Sequence, residues 1–109
     1  MVSQGEIIKV EGIKNHLLVV SRDIINENEV CIVIPLSSNF SESVTHIKNS
    51  FSKDLVITEQ LRYIDLNTRF YKKLGTLPLN EMQNIIDVIQ GLFDIFWFST
   101  NNSKVGGID

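Results

Sequence analysis

The sequence predicts an α+β fold, in which a small curled antiparallel sheet or barrel is closed by one long C-terminal helix. Two observations support this prediction. Short apolar segments alternate with polar turns over the first two-thirds of the chain, and apolar side chains recur at helical spacing over residues 81–97. Because 109 residues have room for one core, we expect a single domain over residues 1–97. Residues 98–109 are expected to form a polar, frayed tail.

Six short segments are predicted as strands. They are residues 5–10, 17–21, 30–36, 44–48, 55–65 and 71–77. Residues 30–36 are apolar on both faces, which indicates a central strand, and Pro35 is expected to mark the point where its pairing stops. Residues 44–48 have the pattern of an edge strand. Residues 66–70 are expected to form a single helical turn capped by Asp65.

The closing helix is the clearest element of the sequence. Asn80 is expected to be its N-cap, and Gln83 three residues later completes the pattern of a capping box. Its apolar positions are Met82, Ile85, Ile86, Ile89, Leu92, Phe93 and Phe96. Polar side chains occupy the opposite side, so the helix is amphipathic and is expected to cover the open side of the sheet.

Further apolar side chains lie outside the main apolar face of this helix. Val88 and Ile95 lie off that face, and Trp97 and Phe98 prolong its apolar end. This is more hydrophobic surface than one small core needs. We therefore expect a twofold homodimer.

The composition excludes several functional classes. A formal net charge of −3 is too low to hold nucleic acid by a general positive field, so any such contact must be local. Cys31, the single cysteine, lies in the most apolar strand and is expected to be buried and inert. His16, His46 and Cys31 are too scattered for metal-ligand spacing, so no metal or cofactor is expected. The chain has no signal-peptide pattern and no membrane-length apolar run, which indicates a soluble, cytoplasmic protein without a membrane partner.

A group of polar residues at strand ends is the best candidate site. Ser37 and Ser38 stand where the buried segment 30–36 emerges, and a second group lies in one later β-segment: Glu59, Gln60, Arg62 and Asp65. Strand ends on a rigid sheet often carry functional residues. The alternative is structural: the serines form a turn, Arg62 and Asp65 form an ion pair, and Asp65 caps a turn.

Strand geometry limits the functional interpretation. If residues 55–65 form one regular strand, Glu59 and Arg62 point to opposite faces and cannot serve one pocket. A bulge would be needed to bring them together.

Several segments in order resemble the MazF/PemK family of toxins from bacterial toxin–antitoxin systems. They are GEIIKV at residues 5–10, LLVVS at 17–21, IVIPLSS at 32–38, EQLRYID at 59–65 and KKLGTL at 72–77, followed by an amphipathic helix. The resemblance covers residues 4–96. It implies a compact SH3-like barrel with helices, usually a homodimer, which agrees with the order of elements above.

The resemblance also implies an activity. Such proteins are metal-independent, sequence-selective endoribonucleases that cleave single-stranded RNA to 2′,3′-cyclic phosphate and 5′-OH ends, and a cognate antitoxin neutralises them. By motif, the family's catalytic hydroxyl falls on Ser37 and its acidic residue, the expected proton acceptor, on Glu59. The residues expected to bind RNA are Lys14, Asn15, Ser38, Gln60 and Arg62.

The sequence departs from the family pattern at three places. The arginine and proline of the second-strand motif correspond to Asn15 and His16, and a second arginine corresponds to Ile57. The loop at residues 11–15 is also shorter than usual. Because histidine donates or accepts a proton near neutral pH, His16 is a candidate catalytic substitute for the arginine.

The alternative for His16 is a surface histidine at a turn. Further candidate cations are Lys14, Arg22, Lys48 and Arg62. The missing arginines favour a second function: a non-catalytic binding protein, or a poison of a protein target as the related CcdB toxins poison gyrase. Ser37, Glu59 and His16 favour the endoribonuclease.

Overall fold

The computed structural model describes residues 1–107, and it describes the side chains of residues 1–93. Within this part the chain forms seven strands and two helices. They are β1 (Glu6–Val10), β2 (Leu17–Val19), α1 (Asp23–Asn26), β3 (Val30–Ser37), β4 (His46–Ile47), β5 (Leu55–Ile57), β6 (Arg62–Asp65), β7 (Tyr71–Thr76) and α2 (Leu79–Gly107). None of the described residues lies in a helix that is both long and apolar enough to span a lipid bilayer.

The strands form one antiparallel sheet in the order β4-β5-β3-β2-β1-β7, and β6 pairs with β3 beside this path. Side chains of β1, β2 and β3 point alternately to the two faces of the sheet, and both faces are buried. Ile7, Leu18 and Ile34 pack on one face with Met82 and Ile85 of α2. The opposite face of the sheet forms a second core cluster, to which none of the described side chains of α2 contributes. A sheet can bury a face that no helix covers by curling over it. The α+β prediction is confirmed, although over the described residues the sheet stays open rather than closing into a ring.

The central strand is β3, as predicted, and its pairing continues past Pro35. Leu17 of β2 lies opposite Pro35, and Ser37 lies opposite Leu55 of β5. Successive N–H groups point to opposite edges of a strand, and the N–H of Leu36 donates to His16 O on the β2 side at 2.9 Å. The missing N–H of Pro35 therefore faces the other edge. There β6 pairs with residues up to Val33 and β5 begins at Leu36, so no ladder bond is lost.

The prediction of one long strand over residues 55–65 is wrong. The segment forms β5 and β6, and residues 58–61 turn between them. The N–H and the hydroxyl of Thr58 both donate to Thr45 O, at 3.0 and 2.9 Å, and prolong the pairing of β5 with β4 by one residue before the chain turns. The N–H of Gln60 then donates back to Ile57 O at 3.3 Å.

The predicted helical turn at residues 66–70 is absent from the structure. The Asp65 carboxylate instead accepts hydrogen bonds from the N–H and the side-chain amide of Asn67, at 2.8 and 2.9 Å. Aspartate that binds the backbone two residues later stabilises a local turn and competes with helix formation.

Helix α2 differs from the prediction at both ends. It begins at Leu79, so Asn80 lies within its first turn, and the N–H groups of Glu81 and Met82 donate to Pro78 O. It continues through residues 98–107, which were expected to form a tail. The Ser, Thr and Asn residues at 99–103 each weaken a helix by only roughly 0.5 kcal/mol or less, so they do not end it. The strongest stop signal in this segment is the glycine pair at 106–107. Residues 108–109 of the expected tail lie outside the described residues.

Candidate functional site

The short loop before β2 and the end of β3 meet at one edge of the sheet. The side-chain amide of Asn15 donates to Leu36 O at 3.1 Å, and the N–H of Leu36 donates to His16 O at 2.9 Å. These bonds bring three predicted loop residues beside two predicted serines. A cavity of about 210 Å³ is lined there by Lys14, Asn15, His16, Ser37, Ser38, Asn39 and Asp54.

The loop is held in place by Lys9, which the sequence analysis did not single out. The Lys9 ammonium donates to the carbonyl oxygens of Ile13 and Lys14, the second at 2.8 Å. An ammonium group that binds two successive carbonyls fixes the backbone between them. Lys9 therefore compensates for the shortness of the loop by making it rigid.

Ser37 is buried with 5% of its surface exposed, whereas Ser38 is exposed. The Ser37 hydroxyl oxygen accepts a hydrogen bond from the N–H of Asn39 at 3.1 Å. The structural alternative for Ser37 is thus correct in part, because the residue stabilises a turn. Its hydroxyl proton still has the capacity to donate to a bound group.

A second cavity of about 360 Å³ adjoins the first and shares Lys14 and Asn15 with it. Gln60 and Arg62 line its other side, and Pro35 also lines it. The turn after β5 allows this arrangement, since it frees residues 59 and 60 from the alternation of a regular strand. We call the two cavities together the strand-end groove. Its polar lining consists of Lys14, Asn15, His16, Ser37, Ser38, Asn39, Asp54, Gln60 and Arg62.

Arg62 lines the groove and does not form the ion pair with Asp65 that the structural alternative predicts. Asp65 caps the following turn, as described above, and three residues along a strand place two side chains on opposite faces. Of the other candidate cations, Arg22 lines a separate cavity with Ser3 and Gln4, and Lys48 pairs with Glu42 at 3.5 Å.

Glu59 is not among the described residues that line the groove. Its carboxylate accepts a hydrogen bond from Nε2 of His46 at 2.8 Å, and the two groups form an ion pair when His46 is protonated. His46 is the functional candidate that sequence reasoning missed. The edge-strand pattern of residues 44–48 could have indicated it. Pairing of β4 with β5 places His46 opposite Ile57, which precedes Glu59 by two residues.

The hydrogen bond between His46 and Glu59 shifts the pKa of both side chains. The hydrogen bond to Glu59 raises the pKa of His46, partial burial opposes the shift, and a bond to Ser41 O adds to it. Partial burial works to raise the pKa of Glu59. The hydrogen bonds from His46 and from its own N–H outweigh that effect, so the pKa of Glu59 is lowered.

Neither of the two positions that correspond to family arginines carries a cation in this chain. Ile57 is fully buried in the core, and the Asn15 amide is bound to the backbone of β3. His16 is exposed, and its ring contacts Phe51 edge to face with a centroid separation of 6.5 Å.

The remaining chemical candidates are a metal site and the thiol of Cys31. The described residues contain no group of three or more His, Cys, Asp or Glu side chains placed to hold a metal ion. Cys31 is fully buried, and burial, with a smaller effect of Glu29, raises its pKa to about 11. A thiol with so high a pKa is a poor nucleophile at neutral pH.

An open, curled antiparallel sheet backed by a C-terminal helix, with a polar groove at its strand ends, defines a small α+β domain of the MazF type. The sequence model of the PemK-like, MazF-like toxins of type II toxin–antitoxin systems matches residues 5–93. The chain belongs to this family. In a comparison with curated proteins, no sequence matches it.

Solved structures support the same fold. The MazE–MazF complex of Deinococcus radiodurans (Form I) is similar, with a TM-score of 0.76 and 14% identity over 85% of this chain and 96% of that chain. An endoribonuclease in complex with its cognate antitoxin, from a mycobacterial species, has a TM-score of 0.70 and 15% identity over 82% and 91%. An endoribonuclease from a mycobacterial species has a TM-score of 0.70 and 14% identity over 81% and 86%.

Proposed function

We propose that the chain is a toxin that cleaves single-stranded RNA without a metal ion and that its strand-end groove binds the RNA. One observation carries the proposal: the fold brings a histidine, a hydroxyl and a cation together in one cavity, as His16, Ser37 and Lys14. Arg62 in the adjoining cavity adds a second cation for the phosphate backbone. Two local cations suit a chain whose net charge is negative.

The reaction proposed is attack of the ribose 2′-OH on the adjacent phosphorus. It breaks the bond to the 5′ oxygen and leaves a 2′,3′-cyclic phosphate and a 5′-OH. The attacking hydroxyl loses a proton and the leaving oxygen gains one, while donors stabilise the charge that develops on the phosphoryl oxygens. In our proposal His16 moves a proton, and Lys14 and Ser37 donate to the phosphoryl oxygens.

Glu59 takes a different role in this proposal from the one expected from the sequence. Its lowered pKa makes it a weaker proton acceptor, and its carboxylate is directed to His46 rather than into the cavity of His16. The assignment of Glu59 as the base stays a prediction. Replacing it with glutamine tests that prediction: a positioned base is worth about 10²- to 10⁴-fold in rate.

We further propose that the toxin is neutralised by a cognate antitoxin that occupies the groove, and that it acts in the cytoplasm as a homodimer. Two of the similar structures contain an antitoxin or its equivalent, MazE. Exposed apolar side chains of α1 and α2, among them Ile24, Leu79 and Phe93, support an interface with a second copy. Ile95, Trp97 and Phe98 lie beyond the side chains that the structure describes.

The test is incubation of the purified protein with a long single-stranded RNA in excess EDTA, followed by mapping of the cut ends. We expect cuts at a short sequence, with cyclic phosphate at the 3′ ends and free 5′-OH groups. Activity that disappears on chelation and returns with Mg²⁺ would contradict the mechanism.

A second candidate is a non-catalytic binding protein on the same fold, or a poison of a protein target. The observation that favours it is Asn15, whose amide is tied to Leu36 O where the family has an arginine. The same incubation separates the two candidates. A shift of the RNA on a native gel without new ends supports RNA binding alone, and neither a shift nor a cut supports a protein target.

A further inference from the structure

The imidazole of His46 lies between two parts of the chain. Nε2 is 2.8 Å from Oε2 of Glu59, in the turn after β5, and Nδ1 is 3.0 Å from Ser41 O, in the loop between β3 and β4. The ring of Phe40 packs against it with a centroid separation of 4.9 Å. His46 itself is on the edge strand β4, with 16% of its side chain exposed.

Both hydrogen-bond partners of this ring are acceptors. A backbone carbonyl and a carboxylate have no proton to give, and a neutral imidazole has only one N–H. Both bonds form together only when His46 is an imidazolium with a proton on each nitrogen. The Phe40 ring favours the same charged form, because an aromatic face attracts a cation.

These two bonds connect opposite ends of the strand-end groove. Ser38 and Asn39, which line the first cavity, begin the loop that His46 holds through Ser41. Gln60, which lines the second cavity, directly follows Glu59. One side chain that does not line either cavity therefore joins the loop at one end of the groove to the turn at the other.

We propose that His46, as an imidazolium, is a positioning residue that clamps the loop at residues 38–45 to Glu59 and so sets the shape of the RNA groove. The proposal rests on the proposed function for its substrate, and its structural part stands without RNA. Loss of the clamp loosens the groove and weakens RNA binding, while the groups that move protons stay in place.

The charges around His46 make the clamp depend on pH. Glu59 is the charged group that acts on it, and the other pair near this loop, Glu42 and Lys48, is exposed and joined at 3.5 Å. Deprotonation of His46 removes one N–H and with it one of the two bonds. The KM for RNA is therefore expected to rise as the pH increases through the raised pKa of His46, with kcat following the groups in the cavity of His16.

The first experiment measures the protonation of the ring nitrogens by ¹⁵N NMR at pH 7, where a histidine with the ordinary pKa of 6.5 is mostly neutral, in the full chain without RNA. We expect both nitrogens of His46 to carry a proton. A neutral ring with a single N–H at this pH would overturn the proposal. The measurement needs no activity, so it decides on the clamp even if the protein proves not to cleave RNA.

The second experiment compares His46→Gln and Glu59→Gln with the matched control Glu42→Gln, which removes a neighbouring exposed acid that pairs with Lys48. Amide exchange of residues 39–45 and steady-state cleavage are measured for each. We expect exchange and KM to rise about two- to fivefold in the first two variants, as for a partly exposed ion pair, and to stay unchanged in the control. A tenfold or greater fall in kcat of His46→Gln, with KM unchanged, would show that His46 acts in the chemistry instead.

Two further results would also overturn the clamp. One is equal exchange in all three variants, and the other is a KM for His46→Gln that still rises with pH as it does in the parent. Absence of cleavage and of RNA binding in the parent would contradict the proposed function and not the clamp, which the NMR and exchange measurements test separately.

Discussion

The ring of Phe51 lies over the backbone of Gly75, so closely that a Cβ atom on Gly75 would be 2.8 Å from Cε1 of Phe51. Gly75 is on β7, and Phe51 is in the turn between β4 and β5. The same phenylalanine ring contacts His16 edge to face. The Phe51 ring can therefore occupy this position only because residue 75 has no side chain. Through its contact with His16, the same ring lies beside the groove.

Gly75→Ala is expected to lower the free energy of unfolding by about 1–2 kcal/mol. The added methyl group must displace the Phe51 ring, and overpacking of this kind typically costs about 1–3 kcal/mol, which the lower chain entropy of alanine offsets in part. Urea unfolding measures the change. The matched control is Gly91→Ala in α2, where a Cβ meets nothing within 4 Å and stability should rise by about 0.5–1 kcal/mol. A Gly75→Ala protein as stable as the parent would show that Phe51 moves freely.

Lys14→Ala and Arg62→Ala are each expected to weaken RNA binding and to flatten its salt dependence. A cation that neutralises one phosphate of a single strand contributes about 0.7 to the slope of log K against log salt. Binding titrations between low and moderate salt measure this slope. Lys72→Ala, an exposed lysine on β7, is the control and should leave the slope unchanged. Slopes that match the parent in the first two variants would place the RNA elsewhere.

His16→Ala is expected to slow cleavage by about 10²- to 10⁴-fold, the usual contribution of a positioned proton-transfer group. If His16 acts as the acid, the rate of the parent should fall at alkaline pH, because a general acid works only in its protonated form. Asn15→Arg restores the family pattern and should flatten this fall, since arginine stays charged. Single-turnover rates across pH provide the test. If His16→Ala keeps the rate and profile of the parent, His16 is a turn residue and the cation is Lys14 or Arg62.

The His46–Glu59 pair is expected to make stability depend on pH in two directions. The pKa of His46 is raised, so its contribution is complete below the unfolded value of 6.5 and is lost as the pH rises through the folded pKa. The pKa of Glu59 is lowered, so its contribution is present above 4.5 and is lost as the pH falls through the folded pKa. The difference in urea midpoint between the parent and His46→Gln should therefore be largest from about pH 5 to 6.5 and shrink on either side. A constant difference across pH would contradict the ion pair.

Much of the fold followed from the one-dimensional pattern. The uniformly apolar segment 30–36 predicted the central strand, and the pattern of residues 44–48 predicted an edge strand. Both predictions succeeded because the number of buried faces determines the residue pattern of a strand. A strand buried on two faces is apolar throughout, and a strand buried on one face alternates apolar and polar residues. The ends of α2 and the turn at Asp65 were not predicted, because a single side-chain hydrogen bond or a small difference in propensity decides them.

The candidate site divided in the same way. The strand-end pattern indicated Ser37 and Ser38, and the resemblance to the MazF/PemK family indicated Lys14, Asn15 and His16; all five residues line one cavity of the structure. Sequence reasoning placed Glu59 and Arg62 on opposite faces of one strand, and it found no role for His46. Two features of the tertiary structure changed this: the chain turns at residues 58–61, between β5 and β6, and the pairing of β4 with β5 brings His46 to Glu59 across thirteen residues of chain. Hydrogen-bond partners so far apart are set by the register between strands, and the residues on either strand alone do not determine that register.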